Sequence, residues 1–229
     1  MKRNVYFITG IDTNVGKTYV TAGILKALLD KGIHAISQKM IQTGCVGISE
    51  DIEAHRQLTA MPLCEDDKTR LTCPYVFTFP CSPHLAAQID NATIDCDKIT
   101  QATQQLAEKY ETVLLEGAGG LLVPITTTYS TADYLKEQNY PVILATSGKL
   151  GSINHTLLSL EYCKMKGIDV VALVYNFDKD ADPVIEKDTQ QLFQTYLSNN
   201  FPKAKYLTMP RVHENTITED VAALASICK

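Results

Sequence analysis

A glycine-bounded loop between two regular segments constrains most strongly what this chain can fold into. Residues 10–18 (GIDTNVGKT) follow the apolar run 5–9, which predicts a buried strand, and lead into residues 17–31, whose apolar spacing predicts a helix. In a strand–loop–helix unit of this kind, backbone N–H groups converge on phosphate oxygens, and the N-terminus of the helix adds positive potential. The segment therefore predicts a phosphate-binding loop.

Two side chains at the end of this loop suit phosphate chemistry. Lys17 supplies a positive charge to the β- and γ-phosphates, and the hydroxyl of Thr18 suits Mg²⁺. The spacing departs from the usual pattern, because five residues rather than four separate Gly10 from Gly16. An ordinary strand–turn–helix is the alternative, and the Gly-Lys-Thr end alone does not exclude it.

The rest of the chain alternates apolar runs with helical patterns. Further strands are predicted at 35–37 (ending at Lys39), 112–115, 141–145, 169–175 and 205–208, and helices at 97–109, 152–166, 184–198 and 217–227. This alternation predicts an α/β fold in a single domain over 1–229: a doubly wound, mostly parallel sheet with helices on both faces, P-loop NTPase-like. The less regular segment 44–96 is predicted to be an insertion of short helices and loops.

The net charge, the length of the apolar runs and the spacing of the cysteines indicate which partners and which compartment to expect. The chain has 21 Lys and Arg residues against 26 Asp and Glu residues, a net charge of −5, which argues against a nucleic-acid partner. No apolar run approaches the roughly 20 residues that span a bilayer, and the run at 5–8 is too short for a signal peptide, so we expect a cytoplasmic protein with no membrane partner. The seven cysteines lack metal-binding spacing and are interpreted as small buried hydrophobes.

Three charged residues are expected near the phosphate loop. Lys39 ends the second predicted strand, Asp51 follows in the irregular segment, and Glu116 comes directly after the strand at 112–115. Carboxyl ends of parallel strands share one edge of the sheet, so these side chains are candidates for contacts to phosphate or Mg²⁺. The alternatives stay open: a surface lysine, a helix N-cap and a solvated strand-end carboxylate, respectively.

Together these pieces resemble the dethiobiotin synthetase family, the ATP-dependent carboxylases of biotin biosynthesis. The similarity runs in the same order from residue 6 to about 215. The segments that carry it are 10–18 (GIDTNVGKT), 39–44 (KMIQTG), 74–75 (PY), 82–84 (SPH), 116–120 (EGAGG), 149–155 (KLGSINH) and Asn176. Within them, Met40 stands where proline is usual in the family, and Thr43 stands where serine is common.

The resemblance implies a reaction that converts 7,8-diaminononanoate, CO2 and ATP-Mg²⁺ into dethiobiotin, ADP and phosphate. An amine would trap CO2 as a carbamate, the carbamate would attack the γ-phosphate to give a mixed anhydride, and the neighbouring amine would close the cyclic urea. No protein nucleophile is required, so catalysis is expected to consist of positioning and charge stabilisation. In agreement, the motifs offer lysines, hydroxyls and carboxylates and no Ser-His-Asp or Cys-His arrangement.

The resemblance also implies residue roles. Lys17 and Lys39 would bracket the carbamate and the γ-phosphate, Thr13 would donate to the transferring group or to the carbamate, and Thr43 would contact the substrate near its amines. The implied Mg²⁺ ligands are Thr18, Asp51 and Glu116. The implied ATP contacts are Asn14, Val15, Gly16, Lys17, Thr18, Tyr19, Asp51, Glu116, Gly117, Ala118, Gly119, Asn176, Phe177, Pro210, Arg211 and Val212.

Two departures from the family leave roles open. Asn14 stands where an acidic residue is frequent, so the group that orients the diamine is open. Arg211 replaces an aromatic residue seen in some relatives, so the stacking on the base is open as well.

The resemblance assigns the substrate's own carboxylate to a helix start supplied by the neighbouring subunit of a homodimer. The residues of that site are Gly151, Ser152, Ile153 and Asn154. Helix capping is the alternative there, and a structural role is the alternative to acid–base chemistry for His84 and His155.

Three other classes of protein are alternatives to a synthetase. Partitioning and metal-delivery ATPases are nucleotide-switched binding modules with the same fold, but they carry a lysine where this loop has Asp12. A cobyrinate-type amidotransferase synthase carries an added glutaminase domain, for which 229 residues leave no room. A small-molecule kinase would leave the phosphate on its acceptor. ATP hydrolysis that requires both the diamine and bicarbonate would separate a synthetase from the first and third classes.

Overall fold

The computed structural model describes residues 4–177, 182–212, 217 and 220–228. Its strands are β1 (Asn4–Gly10), β2 (Ala35–Lys39), β3 (Gln42–Thr43), β4 (Val76–Phe77), β5 (Thr112–Gly120), β6 (Pro124–Thr126), β7 (Tyr129–Ser130), β8 (Val142–Ser147), β9 (Val170–Asn176) and β10 (Lys205–Met209). Its helices are α1 (Lys17–Asp30), α2 (Glu50–Leu58), α3 (Glu65–Lys68), α4 (Pro83–Ile89), α5 (Cys96–Lys109), α6 (Thr131–Gln138), α7 (Ser152–Lys166), α8 (Pro183–Asn200) and a 3-10 helix (Ala222–Ser226).

Six strands form one parallel sheet in the order β10-β9-β8-β1-β5-β2. The register places Glu116 of β5 opposite both Ile8 of β1 and Lys39 of β2. Because all six strands run in the same direction, their C-terminal ends share one edge, where ligands bind in open α/β sheets. The predicted doubly wound, mostly parallel sheet is confirmed.

Both faces of the sheet are covered. In β1, Val5 and Phe7 pack into the core beneath α5 to α8, whereas Tyr6 and Ile8 pack into the core beneath α1. The α1 side of that second core is formed by Val20, Ile24, Leu25 and Leu28. Burial on both faces explains why these strands read as continuous apolar runs rather than as alternating ones.

The irregular segment 44–96 is an insertion of short elements, as predicted. It contains α2, α3 and α4, and its strand β4 pairs in parallel with β3 outside the main sheet. Helix α2 packs against α1, and Ser49 caps its N-terminus by accepting a hydrogen bond from the Ile52 amide at 3.3 Å. The N-cap role considered for Asp51 therefore belongs to Ser49, and Asp51 lies in the first turn of α2.

Strand β5 is longer than the sequence indicates. It continues through the glycine motif to Gly120, which pairs with Gly10 at the end of β1. A Cβ on Gly120 would lie 3.2 Å from the Gly10 carbonyl oxygen. The glycines therefore allow two backbones to approach closely beyond residue 115, where the predicted strand ends.

The helix predicted at 217–227 is wrong. Among the described residues of that segment, only Ala222–Ser226 is helical, as a 3-10 helix. Its Leu224 packs against α1 at Gly23, where an added Cβ would lie 3.1 Å from Leu224 Cδ1 and 2.4 Å from Met209 Sδ. The absence of a side chain at Gly23 therefore gives Leu224 room to pack closely against α1.

Two remaining expectations concern cysteines and membranes. All seven cysteines are free thiols, and three of them are buried, namely Cys45, Cys73 and Cys163. The other four are partly exposed, so the interpretation as buried hydrophobes is correct for the three alone. In the described part of the chain, no helix has the length and apolar character required to cross a membrane.

Candidate active site

The phosphate loop leaves β1 and turns sharply before α1 begins at Lys17. Asn14 (φ 60°) and Gly16 (φ 94°) adopt left-handed backbone conformations, which asparagine tolerates and glycine favours. A Cβ on Gly16 would lie only 2.0 Å from Asn176 Nδ2. The amide of Asn176 donates to the Val15 carbonyl at 3.2 Å, so the end of β9 packs directly on the loop.

Lys17 is buried at the start of α1. Its ammonium donates to the Asp12 carbonyl at 2.9 Å, so it reaches back across the loop. Burial and the nearby charge of Lys39 lower the pKa of Lys17 to about 8, against the opposing effects of Glu116, Asp51 and Asp12. A phosphate group at this position would supply the negative charge that the buried ammonium lacks.

Lys39 lies between two carboxylates at the end of β2. Its ammonium is 2.8 Å from Glu116 Oε1 and 2.5 Å from Asp51 Oδ2, and it donates to the Gly117 carbonyl at 3.2 Å. Burial opposes the charge, but Glu116 and Asp51 outweigh it and raise the pKa of Lys39 above its ordinary range. Lys39 is therefore a buried, fully charged and oriented ammonium, so the surface-lysine alternative is wrong.

Glu116 is completely buried and has several donors. Its Oε1 accepts from Lys39, and its Oε2 accepts from the Thr21 hydroxyl at 2.7 Å and contacts His55 Nε2 at 2.9 Å. Burial disfavours the charged form, yet the Lys39 ammonium and the contact with His55 hold the pKa of Glu116 well below its usual range. The alternative of a solvated strand-end carboxylate is therefore wrong.

The sequence reasoning missed Thr21 and His55, although a spacing signal was present. Thr21 follows Lys17 by four residues on α1, and His55 follows Asp51 by four residues on α2. Residues four apart share one helix face, so both were placed to point toward the same site as their partners. The position of α2 relative to β5, which brings His55 to Glu116, could not be predicted from this spacing.

The hydroxyl and carboxylate predicted as metal ligands lie together. Thr18 Oγ1 donates to Asp51 Oδ1 at 2.8 Å, and Asp51 remains partly exposed toward the loop. These side chains and Glu116 provide the hard oxygen atoms that Mg²⁺ prefers. In the described residues, no group of three or more His, Cys, Asp or Glu side chains is placed to hold a metal by itself, so phosphate oxygens and water would have to complete a shell.

A first cavity of about 700 Å³ opens beside this cluster. The predicted site residues that line it are Thr13, Asn14, Gly16, Lys17, Thr18, Tyr19, Lys39, Thr43, Asp51, Glu116, Ala118 and Gly119. Gly117 is adjacent and contributes its carbonyl to Lys39. The structure thus brings the predicted phosphate, metal and amine-contacting residues to one cavity.

A second cavity of about 470 Å³ lies on the other side of the loop. The predicted site residues that line it are Thr13, Asn14, Val15, Tyr19, Ser152, Asn176, Phe177 and Val212. Because Thr13, Asn14 and Tyr19 line both cavities, the two spaces adjoin across the phosphate loop. An extended ligand therefore has room on both sides of the loop.

The remaining predicted contacts lie outside the linings of both cavities, namely Pro210, Arg211, Gly151, Ile153 and Asn154. Arg211 forms an ion pair with Glu186 at 3.2 Å, and its guanidinium lies 5.8 Å from the centre of the Phe177 ring. His155 lines the second cavity, whereas His84 is partly buried outside both.

Comparisons with known proteins agree with the class of protein that the fold and loop define. A family model described as an AAA domain matches residues 4–211. Among solved structures, a plasmid partition protein of Borrelia burgdorferi bound to AMPPNP superimposes with a TM-score of 0.61 at 12% identity, over 99% of this chain and 97% of that one. At that identity the likeness shows the fold alone, which is a P-loop NTPase-like α/β fold.

Closer relatives identify the family. The chain is 52% identical to ATP-dependent dethiobiotin synthetase BioD 2 of Pasteurella multocida, over 90% of this chain and 96% of the relative. It is 47% identical to ATP-dependent dethiobiotin synthetase BioD of Chlorobaculum tepidum, over 86% and 82% of the two chains. The chain belongs to the ATP-dependent dethiobiotin synthetase family, ligases of biotin biosynthesis.

Proposed function

We propose that this enzyme closes the cyclic urea of dethiobiotin from 7,8-diaminononanoate, CO2 and ATP in the presence of Mg²⁺. The observation that supports it most directly is the pair of buried lysines at the first cavity. Lys17 and Lys39 both line this space, and Thr43 lines it as well. Two ammonium groups facing one cavity suit a reaction whose intermediates are a carbamate and a transferring phosphoryl group.

The bond changes need no protein nucleophile. One amine of the substrate attacks the carbon of CO2, forms an N–C bond and loses a proton, which gives a carbamate. A carbamate oxygen then attacks the γ-phosphorus, and the bond to the ADP oxygen breaks. Finally, the second amine attacks the carbonyl carbon, loses a proton and expels inorganic phosphate, so that the ring closes. Each step depends on alignment and on stabilisation of negative charge.

The residues of this chain provide both the alignment of the reacting groups and the stabilisation of negative charge. Lys39 stabilises the charge on the transferring phosphoryl group, Lys17 binds the β- and γ-phosphates, and Thr13 donates a hydrogen bond to the transferring group. Thr43 contacts the substrate near its amines. Because the ammonium of Lys39 is already oriented by two carboxylates, little reorganisation is required when charge develops.

Mg²⁺ fits the oxygen donors that Thr18, Asp51 and Glu116 present. When bound there, it would neutralise charge on the phosphate oxygens of the nucleotide. Asp51 and Glu116 also contact Lys39, so a bound metal would share these carboxylates with the chain's own ammonium. Asp51 remains partly exposed on the cavity side, which leaves it accessible to a nucleotide–metal complex.

The nucleoside end of ATP is proposed to extend toward the second cavity. Asn14, Val15, Gly16 and Tyr19 would contact the phosphates, as would residues 117–119. Asn176, Phe177 and Val212 line the second cavity and would hold the base, with Pro210 and Arg211 next to them in the chain. The ion pair and ring contact of Arg211 place its guanidinium beside Phe177.

The carboxylate of the diamine is proposed to bind at the start of α7 of a partner subunit. Gly151, Ser152, Ile153 and Asn154 form this helix start, and backbone N–H groups at a helix N-terminus donate hydrogen bonds to anions. A homodimer with active sites across its interface follows from this assignment, and the enzyme is proposed to work in the cytoplasm. Sedimentation of the purified protein at a dimer's mass is the expected result.

ATP hydrolysis tests the proposed function. We expect ADP release to rise sharply only when diaminononanoate and bicarbonate are both present, with dethiobiotin formed in equal amount and free phosphate released. Strong stimulation by DNA or lipid vesicles without the diamine would instead favour a nucleotide-switched binding module of the partitioning type. A stable phosphorylated diamine would favour a kinase.

A further inference from the structure

The imidazole of His55 makes one hydrogen bond among the described residues, and its partner is Glu116. The imidazole is completely buried, and its Nε2 lies 2.9 Å from Glu116 Oε2. Among the described residues, no partner faces its Nδ1. If only volume were required at this position, an apolar side chain would fill it without burying a polar ring nitrogen.

The protonation of Glu116 determines the direction of this hydrogen bond. An ionised carboxylate can only accept, so Nε2 of His55 carries the proton and donates. The Thr21 hydroxyl donates to the same oxygen at 2.7 Å. These two donors occupy Oε2 and leave Oε1 directed at the Lys39 ammonium, which it contacts at 2.8 Å.

Helix α2 acts on the Lys39 ammonium in two ways, directly through Asp51 and indirectly through the contact between His55 and Glu116. Asp51 and His55 are one turn apart on the same face of α2. Asp51 contacts Lys39 directly at 2.5 Å, and His55 contacts it through Glu116. A single helix therefore orients both carboxylates that hold the ammonium.

We propose that His55 is a positioning residue for ring closure. Its Nε2–H fixes the orientation of the Glu116 carboxylate, and through that carboxylate it fixes the ammonium of Lys39 against the transferring phosphoryl group. This inference rests on the role of Lys39 in the proposed function. It predicts that His55 affects the chemical step more than the binding of ATP, because His55 lines neither of the two cavities proposed to hold the nucleotide.

The test compares two substitutions at this position. His55→Leu removes the donor and keeps a buried apolar side chain, whereas His55→Gln keeps an N–H donor. With saturating ATP, diamine and bicarbonate, we expect kcat to fall at least tenfold in His55→Leu, while KM for ATP and the Kd for ADP-Mg²⁺ measured by calorimetry stay within threefold. His55→Gln is expected to recover most of the lost kcat.

A matched variant separates positioning from loss of stability. Phe193→Leu leaves a cavity in the buried core beside β9, on the face of the sheet opposite α1, whereas Glu116 contacts Thr21 of α1. We expect it to lower the melting temperature without a comparable loss of kcat. Equal losses of kcat in Phe193→Leu and His55→Leu at matched melting temperatures would overturn the inference, as would a kcat within twofold of wild type in His55→Leu.

Lys39→Ala distinguishes the inference from its premise. If Lys39→Ala loses turnover while His55→Leu keeps it, the positioning role alone is wrong. If Lys39→Ala turns over like the wild type, the proposed role of Lys39 is wrong, and the inference about His55 is overturned with it.

Discussion

At the scale of single residues, two lysines that look alike in the sequence differ in their electrostatic surroundings. Lys39 lies between Asp51 and Glu116, which raise its pKa, whereas burial and the charge of Lys39 lower the pKa of Lys17 to about 8. Lys39 is therefore charged in the free protein at any ordinary pH. The ammonium form of Lys17 is the one that an arriving phosphate stabilises most. This difference gives the two side chains separable roles.

Replacing Lys39 tests its proposed catalytic role. Lys39→Ala is expected to lower kcat by about 10²- to 10³-fold, the effect of removing one preorganised group that stabilises developing charge. Binding of ATP-Mg²⁺, measured by calorimetry, is expected to change by less than threefold. The control is Lys26→Ala, since Lys26 pairs with Asp30 on the exposed side of α1, away from the site. Turnover like that of the wild type in Lys39→Ala would remove this lysine from the mechanism.

The pKa of Lys17 predicts a pH dependence of nucleotide affinity. A bound polyphosphate favours the ammonium form, so the free protein must take up a proton on binding above pH 8. We therefore expect the Kd for ATP-Mg²⁺ to be nearly constant from pH 6.5 to 7.5 and to rise up to about tenfold per pH unit between pH 8 and 9.5. Lys17→Arg stays charged throughout this range. It is expected to bind more weakly at pH 7 but to lack this slope, and a parallel slope in both proteins would contradict the assignment.

At the scale of elements, the phosphate loop depends on a contact with a distant strand. Gly16 lies against Asn176 at the end of β9, and neither the loop sequence nor the strand sequence indicates that they meet. The glycine therefore has two functions: it allows a left-handed backbone, and it leaves room for the asparagine. The predicted loop was correct in position, but its packing could not be read from local spacing.

A pair of glycine substitutions separates these two functions. Gly16→Ala introduces both backbone strain and a Cβ only 2.0 Å from Asn176 Nδ2, so we expect ATP-Mg²⁺ affinity to fall at least tenfold. Gly32→Ala introduces strain at φ 75° but meets no atom within 4 Å. It is expected to lower the free energy of unfolding by about 1 kcal/mol and to leave nucleotide affinity unchanged. Calorimetry and urea unfolding distinguish the outcomes, and equal affinity losses in the two variants would point to strain alone.

At the scale of the whole molecule, buried charge links three parts of the chain. Glu116 on β5, Lys39 on β2 and Asp51 with His55 on α2 meet beneath the first cavity. Such a cluster stabilises the fold only while its charges are complementary, because an unpaired buried charge is costly. Stability and the geometry of the site therefore depend on the same ion pairs.

This linkage predicts acid sensitivity. The pKa of Glu116 is below its usual range in the folded protein, so its contribution to stability is present above the unfolded pKa of about 4.3 and is lost as the pH falls below that value. The unfolded chain then binds the extra proton, and this contribution declines by up to about 1.4 kcal/mol per pH unit. Urea unfolding between pH 6 and 3 is expected to show a shallower decline in Glu116→Gln. The same decline in both proteins would show that Glu116 is not the group responsible.

The sequence by itself determined the parallel sheet, the position of the phosphate loop and the edge at which Lys17, Lys39 and Glu116 meet. These features follow from local signals: apolar runs that are buried on both faces, helical spacing, and charged residues at the ends of strands. Only the tertiary structure decided that His55 contacts Glu116 across 61 residues, that Thr21 does so across 95, and that Ala222–Ser226 forms a 3-10 helix with Leu224 against Gly23. Those contacts depend on how distant elements pack, and no local pattern encodes the distance between two helices and a strand.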